Sequence, residues 1–256
     1  MKDVNLLTSN GVNIEQSLEL FGDMDTYNDT LEEFLAGVGE KIENIKKYKE
    51  ASDMANYAIL VHSLKSDSKY LGFTKLAELS YNHEMQSKAN NVDYVYANYD
   101  ELMQEAQRIV KLVEEYLGKK AEVKVFEQPS NVEKDKTILV VDDSSIIRTF
   151  IQRVFNDTYN VMIANDGREA LEIVNSNQNI VAMLLDLNMP NVNGFEVLEY
   201  FKTNGLFTKI PVSIITGDDS KETVTRAFTY PIADVLAKPF NERDVKRVVE
   251  KTLEYK

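Results

Sequence analysis

The chain has 256 residues, 43% of them hydrophobic, which is enough for one large or two ordinary folded domains. The absence of cysteine excludes disulfides and thiolate metal sites, and no segment approaches the ~20 apolar residues of a membrane span. A net charge of −13 disfavours a nucleic-acid surface, because phosphate binding requires clustered lysine and arginine. The N-terminus has no signal-peptide core. We therefore expect a cytoplasmic protein with no nucleic-acid binding and no membrane insertion.

The first part of the chain, residues 1–118, shows the periodicity of amphipathic helices. Two long apolar stripes comprise Leu31, Phe34, Leu35, Val38, Ile42 and Ile45, and Leu102, Met103, Ala106, Ile109, Val110, Val113 and Leu117. Between them we predict a helix over 58–72 and a shorter helix around Leu76 and Leu79, with Gly72 ending the first of these two. Four helices with short connections predict an all-α antiparallel bundle.

The helix "AILVHSLKSDSKYLG" carries a histidine just beside its apolar stripe. Lys65 and Ser66 lie three and four residues after His62, so the three side chains share one helix face. The pattern predicts that the imidazole faces solvent. A lone surface histidine most often has no function, so the spacing alone leaves its role open.

Residues 119–136, "KKAEVKVFEQPSNVEKDK", mix charges with proline and serine and show no sustained period. We interpret this segment as a linker between two domains.

From residue 137 to 256, short apolar runs alternate with amphipathic segments. The runs "TILVV", "VMIA", "VAMLLD", "PVSIIT" and "ADVLA" are typical of buried strands. Five strand-then-helix units predict a parallel five-stranded sheet with helices on both faces.

Acidic and polar residues stand at the carboxyl ends of these predicted strands, where such sheets bind ligands. Asp142 and Asp143 follow the first strand, Asp186 ends the third, Thr216 ends the fourth, and Lys238 follows the fifth. Three adjacent carboxylates repel one another and need a cation, for which hard oxygen ligands favour Mg²⁺. A carboxylate beside Mg²⁺, a hydroxyl and a lysine can attack a phosphoryl group.

The second domain resembles a response-regulator receiver domain. The matching motifs are "VVDD", "LLDLNMPNVNG", "IITG" and "KPF". The resemblance implies a doubly wound, flavodoxin-like fold, with Asp186 as the phosphoacceptor. It also implies that Asp142, Asp143, Asp186 and the backbone carbonyl of Asn188 hold Mg²⁺.

The same resemblance implies roles for the residues around the phosphoacceptor. Thr216 and Lys238 would bind the phosphoryl group, with a cis bond between Lys238 and Pro239. The residues that border the approach of a hydrolytic water would be Asn188 and Asp218, a pair that implies a short-lived phosphorylated state. Val235 departs from the family, which usually has an aromatic switch residue at this position.

The first domain resembles a histidine phosphotransfer (HPt) domain through "HSLKSDSKYLG". This resemblance implies that His62 is a second phosphoacceptor and that Lys65 neutralises its phosphate. Ser66 stands where the family usually has glycine and would leave room for a docking receiver, while Gly72 matches the later glycine of the motif.

Together these patterns predict a phosphorelay protein that passes phosphoryl groups between His62, Asp186 and partner domains, without an output domain. Its expected partners are a sensor histidine kinase or the receiver domain of a hybrid kinase, and other receiver or HPt proteins. A scaffold or phosphate sink that acts by phosphorylation-dependent binding is the alternative. An aspartyl-phosphatase-type hydrolase is disfavoured, because Asn188 stands where that chemistry needs a second acid. We therefore expect a phosphoacceptor and not a turnover enzyme.

Overall fold

The computed structural model describes residues 3–118, 136–176, 179–218 and 220–255. The chain divides into two compact units, Met1–Phe126 and Glu127–Lys256. The predicted linker, 119–136, lies outside the described residues except for Lys136. Among the described residues, no helix has the length and apolar character that crossing a membrane requires.

The described part of the first unit, residues 3–118, is all-helical, as predicted, and two short helices precede the four that the sequence indicated. The six helices are α1 (Val4–Ser9), α2 (Ile14–Phe21), α3 (Met24–Glu50), α4 (Met54–Tyr70), α5 (Thr74–Lys88) and α6 (Val92–Leu117). Asp23, Asp53 and Asn91 cap three of them by accepting hydrogen bonds from backbone amides of the first turn. The connections between the long helices are therefore short and sharply defined.

The helix that carries His62 ends where the sequence predicts. Gly72 follows α4 with φ +74°, in the left-handed region that glycine adopts readily. Its carbonyl accepts a hydrogen bond from Asn13, and a Cβ at Gly72 would lie 2.3 Å from the Asn13 carbonyl oxygen. Only glycine therefore allows the start of α2 to approach the turn between α4 and α5.

The helix α4 is buried around much of its circumference, and its polar side chains bond to the neighbouring helices. Lys41 of α3 donates to Ser63 Oγ (2.8 Å) and to Asp67 Oδ2 (2.5 Å). Leu64 and Val61, by contrast, lie in the apolar core. The interior of this bundle is therefore partly ionic.

The second unit is a parallel five-stranded sheet with helices around it, as predicted. The strands are β1 (Thr137–Val141), β2 (Asn160–Ala164), β3 (Ile180–Asp186), β4 (Val212–Thr216) and β5 (Val235–Ala237). The helices are α7 (Ser145–Phe155), α8 (Gly167–Ser176), α9 (Gly194–Thr203), α10 (Lys221–Ala227) and α11 (Glu242–Glu254). The strand order is β2-β1-β3-β4-β5, the order of a flavodoxin-like fold.

The sheet places the predicted site residues of the second unit at the carboxyl ends of its strands. β1 and β3 are neighbours in the centre of the sheet, and β1 is fully buried along its length. Asp142 directly follows β1, and Asp186 is the last residue of β3. The carboxyl ends of these two strands therefore bring the two carboxylates together.

Candidate functional site

Three carboxylates meet at the carboxyl edge of the sheet. Asp142, Asp143 and Asp186 each place one oxygen within 4.8 Å of the others. Asp142 and Asp186 are fully buried, whereas Asp143 is partly exposed. The amide of Ser144 donates to Asp142 Oδ1 at 3.0 Å and fixes that carboxylate. The structure thus brings together the three acidic residues that the sequence selects.

Backbone amides of the following loop orient the Asp186 carboxylate. Its Oδ1 accepts hydrogen bonds from the amides of Leu187 (2.6 Å) and Asn188 (3.3 Å). The loop closes where the Gly194 amide donates to the Leu187 carbonyl at 3.1 Å. A Cβ on Gly194 would lie 2.3 Å from the Asp186 carbonyl oxygen, so this close return of the chain requires glycine.

A buried lysine joins the carboxylates. Lys238 Nζ lies 2.7 Å from Asp142 Oδ2 and 2.7 Å from Asp186 Oδ2. The Lys238 amide donates to the Thr216 carbonyl at 2.8 Å, which ties the end of β5 to that of β4. The Lys238–Pro239 bond is cis, as the sequence resemblance implies.

The charges of this cluster shift its pKa values. Burial raises the pKa of Asp186 to about 7, where the attraction of Lys238 opposes the rise and repulsion by Asp142 and Asp143 adds to it. Burial also opposes the charge of Lys238, but the three carboxylates outweigh it and raise the pKa of the lysine. The Lys238 ammonium therefore stays charged, and it offsets part of the mutual repulsion among the three carboxylates.

The predicted switch threonine and the residue two after it lie next to each other. Thr216 is buried, and its Oγ1 accepts a hydrogen bond from the Asp218 amide at 3.1 Å. The Asp218 carboxylate accepts from the Ser220 amide (3.1 Å) and from the Thr223 hydroxyl (3.0 Å), so it also holds the start of α10. Val235, the first residue of β5, is half-buried against the core.

The donor set fits a hard divalent cation. Three carboxylates supply oxygen ligands, which is the preference of Mg²⁺. The side-chain amide nitrogen of Asn188 is buried without a hydrogen-bond partner among the described residues, so this rim of the cluster has unused polar capacity. The residues present are therefore compatible with the predicted ion and with an added phosphoryl group.

The helical unit holds a second cluster, which contains a residue that the sequence reasoning missed. Glu84 of α5 is buried and accepts from His62 Nδ1 (2.6 Å), Lys65 Nζ (2.6 Å) and Lys88 Nζ (2.7 Å). The Lys65 ammonium also lies 3.2 Å from His62 Nδ1. Nothing in the local pattern of α4 points to a carboxylate 22 residues further along the chain.

The prediction that the His62 ring faces solvent is wrong. His62 is only 1% exposed, and Ser66, expected to leave room for a docking partner, is buried as well. The physical reason is that α5 packs along α4 and places Glu84 against the imidazole, where an ionic hydrogen bond compensates for lost hydration. His62 and Lys65 do share one site, as predicted, but that site is buried.

The second cluster also has shifted pKa values. Burial opposes the charge of Glu84, but hydrogen bonding and attraction from His62 and Lys65 prevail and lower its pKa. Burial lowers the pKa of Lys65, and Glu84 offsets only part of that effect. The glutamate is therefore ionised throughout the neutral range and holds the cluster together.

Known proteins are similar to the second unit of this chain. The family model "Response regulator receiver domain" matches residues 138–250. The rice two-component response regulator ORR3 (Oryza sativa) is 30% identical over 122 residues, which span 47% of this chain and 93% of that protein. The CAI-1 autoinducer sensor kinase/phosphatase CqsS of Vibrio cholerae is 39% identical over 113 residues, which span 43% of this chain and 16% of that protein.

Solved structures give the same kind of likeness. The response regulator TrrA of Thermotoga maritima, solved in complex with Mg²⁺ and BeF, is 27% identical and has a TM-score of 0.41; the match covers 46% of this chain and 99% of that one. The helical unit lies outside the family-model match. The rice relative is 30% identical and is matched over 93% of its length. The chain therefore belongs to the response-regulator receiver family, and residues 138–250 form its receiver domain.

Proposed function

We propose that this protein is a phosphorelay component whose receiver domain accepts a phosphoryl group on Asp186. The observation that carries the proposal is the placement of one carboxylate, with its rotation fixed by two backbone amides, beside a buried ammonium and two further carboxylates. This arrangement supplies a nucleophile, a cation for the phosphoryl oxygens and ligands for a metal. Such a site would transfer a phosphoryl group onto the protein itself, so we propose that the protein is a phosphoacceptor and not a turnover enzyme.

We propose the following transfer step. A carboxylate oxygen of Asp186 attacks phosphorus, and the bond between phosphorus and the donor nitrogen or oxygen breaks, with the electron pair leaving on the donor. Lys238, 2.7 Å from Asp186, then pairs with a phosphoryl oxygen in place of the lost carboxylate charge. The Thr216 hydroxyl, at the end of the adjacent strand, donates to a second phosphoryl oxygen.

Asp142, Asp143, Asp186 and the Asn188 carbonyl would hold Mg²⁺ in this proposal. When bound, the ion supplies positive charge for the phosphoryl oxygens. The carboxylates of Asp142 and Asp143 would serve as its anchors, and Asp186, whose orientation is fixed by the two loop amides, would be the acceptor.

We further propose that hydrolysis of the acyl phosphate is fast. Asn188 and Asp218 lie two residues after the acceptor and two after the threonine, and both are small enough to admit a water opposite the leaving carboxylate. Asp218 already accepts hydrogen bonds from Ser220 and Thr223, which fixes its side chain.

A second proposed function belongs to the helical unit: phosphotransfer through His62. The observation in its favour is the Glu84 hydrogen bond at Nδ1, because a proton held there leaves the electron pair of the imidazole on Nε2 as the nucleophile. Lys65 would neutralise the transferred phosphate. Because the ring is 1% exposed, transfer requires that a partner gain access to it. A scaffold or phosphate sink remains the alternative role.

The proposed partners are a sensor histidine kinase or hybrid-kinase receiver domain and other receiver or HPt proteins, in the cytoplasm. The similarity to part of a sensor kinase/phosphatase supports a kinase-linked pathway.

The test of the receiver proposal is incubation of the full chain with acetyl phosphate and Mg²⁺, followed by intact mass measurement. We expect one added, base-labile phosphoryl group in the wild type and none in Asp186→Asn. Asp157→Asn, which removes an exposed carboxylate of the same unit, is the matched control and should behave as wild type. Unchanged labelling of Asp186→Asn would refute the assignment.

The relay proposal is tested with a phosphorylated receiver domain as donor. The chain has two histidines, so His62→Gln and His83→Gln form a matched pair. Only His62→Gln should abolish formation of an acid-labile phosphohistidine. Transfer that persists in His62→Gln would leave the scaffold role as the better account of the helical unit.

A further inference from the structure

Two loops that follow the carboxyl ends of strands in the receiver domain, β2–α8 and β3–α9, are bridged by a side-chain hydrogen bond. Asp166, at the end of the β2–α8 connection, is 7% exposed, and its Oδ2 accepts a hydrogen bond from Asn191 Nδ2 at 2.6 Å. Next to this bridge, the Gly167 amide donates to the Val192 carbonyl at 2.9 Å. A Cβ on Gly167 would lie 2.5 Å from that carbonyl oxygen, so the two loops are in close contact.

The bridged loop is the one that organises the phosphoacceptor. It begins with Leu187 and Asn188, whose amides orient Asp186, and it passes through Asn191 before it returns at the start of α9. Asn191 has φ +62°, in the left-handed region that asparagine adopts more readily than most other non-glycine residues. The hydrogen bond to buried Asp166 fixes its side chain in this turn.

Asp166 is itself held in place. Its Oδ1 accepts a hydrogen bond from the Glu169 amide in the first turn of α8 at 2.9 Å. One carboxylate oxygen is therefore bonded to a helix, and the other is bonded to Asn191 of the β3–α9 loop. The carboxylate therefore transmits the rigidity of α8 to the β3–α9 loop. It contacts neither Asp186 nor any predicted metal ligand in the described hydrogen bonds.

We propose that Asp166, acting through Asn191, is a positioning residue that holds the β3–α9 loop in the conformation in which Asp186 accepts a phosphoryl group. It keeps the amides of Leu187 and Asn188 aimed at Asp186 and the Asn188 carbonyl near the carboxylates. This role rests on the proposed phosphorylation of Asp186 and adds a residue from outside the cluster to it.

The variants separate the bridge from the helix cap. Asn191→Gly removes the bridging amide, leaves the cap of α8 intact and keeps the backbone able to adopt φ +62°. Asp166→Ala removes both bonds. Asp166→Asn is the conservative rescue, because its side-chain oxygen can keep the cap of α8 and its amide nitrogen can donate to Asn191 Oδ1 once the Asn191 side-chain amide turns over. Asn165→Ala is the control, because it removes the side-chain hydrogen bond to Glu169 in the same connection (2.9 Å) without touching the bridge.

The full chain is phosphorylated with acetyl phosphate at saturating Mg²⁺, and the rate is followed by intact mass over a range of acetyl phosphate concentrations. Asn191→Gly and Asp166→Ala should lower the maximal rate roughly 10- to 100-fold, the cost of a small misplacement of reacting groups. The half-saturating acetyl phosphate concentration should change little, and Asp166→Asn should recover most of the rate. The double variant should be no slower than the slower single variant, since both changes break one bridge.

The outcomes are distinct. Wild-type rates in Asn191→Gly, an equal loss in Asn165→Ala, or additive losses in the double variant would overturn the positioning role while Asp186 phosphorylation stands. Failure of the wild-type chain to gain a phosphoryl group would instead overturn the proposed function. If Asp166→Ala does not fold, as judged by circular dichroism, Asn191→Gly decides the question alone.

Discussion

Replacing Glu84 by glutamine tests the buried ionic cluster of the helical unit. The carboxylate accepts bonds from His62, Lys65 and Lys88 at 2.6–2.7 Å, and both Glu84 and Lys65 are almost completely buried. Glutamine keeps the shape but removes the charge, and its amide nitrogen would face a donor. Loss of one member of a buried ion pair costs about 3–5 kcal/mol, because the remaining charge stays buried without compensation.

The assay is native-state hydrogen exchange of the full chain, read by mass spectrometry on peptides from α4 and α5. A loss of about 3–5 kcal/mol corresponds to roughly two to four orders of magnitude in exchange rate at pH 7. Glu78→Gln is the matched control, since it removes an exposed carboxylate from the same helix and should stay within about 0.5 kcal/mol of the wild type.

The pH dependence provides a second criterion. Because the pKa of Glu84 is lowered in the folded chain, its contribution is complete above the carboxyl pKa of the unfolded chain, about 4.3, and is lost as the pH falls toward the folded value. The difference between wild type and Glu84→Gln should therefore shrink by about 1.4 kcal/mol per pH unit below roughly pH 4. Equal exchange in Glu84→Gln and Glu78→Gln at pH 7 would refute this account.

Three further predictions concern other parts of the chain. Gly194→Ala should destabilise the receiver domain by about 1–3 kcal/mol, because the new Cβ meets the Asp186 carbonyl at 2.3 Å; faster hydrogen exchange in β3 is the measurement, and unchanged exchange would contradict it. Burial lowers the pKa of His83, so the helical unit should lose stability as the pH falls below about 6.5, the pKa of histidine in the unfolded chain. Thermal melts from pH 7.5 to 5 should show this loss in the wild type but not in His83→Gln. Asn188→Lys and Asp218→Ala should each slow decay of the aspartyl phosphate by up to roughly 10- to 100-fold in Mg²⁺, and decay at the wild-type rate in both would exclude their role.

The sheet and its polar edge could be predicted from the sequence because the signals are local. Runs such as residues 137–141 are apolar at every position, and a parallel sheet buried on both faces requires such runs. In such a sheet, residues at the carboxyl ends of neighbouring strands lie close together and form the ligand site. Once the strands are assigned, this is enough to predict that Asp142, Asp186 and Lys238 meet.

The environment of His62 could not be predicted in the same way. A helix period shows which face is apolar, but it does not show which neighbouring helix supplies a partner for a polar side chain. Here Ser63, Lys65 and Asp67 are all buried, because each forms a hydrogen bond with a side chain of a neighbouring helix. The partners are Lys41 of α3 for Ser63 and Asp67, and Glu84 of α5 for Lys65. The bridge from Asp166 to Asn191 was missed for the same reason, since it links two loops 25 residues apart.

The polar contacts of α4 also determine where this helix can lie along its neighbours. Asp67 forms an ion pair with Lys41 of α3, and Lys65 forms an ion pair with Glu84 of α5. A slip of α4 by one turn, about 5.4 Å, would separate both pairs and leave four charges stranded, whereas an apolar seam could repack after such a shift. We infer that the charges define a single register for the bundle. A chimeric bundle should therefore inherit α3, α4 and α5 as one block, since a helix exchanged alone would arrive without its counter-charge.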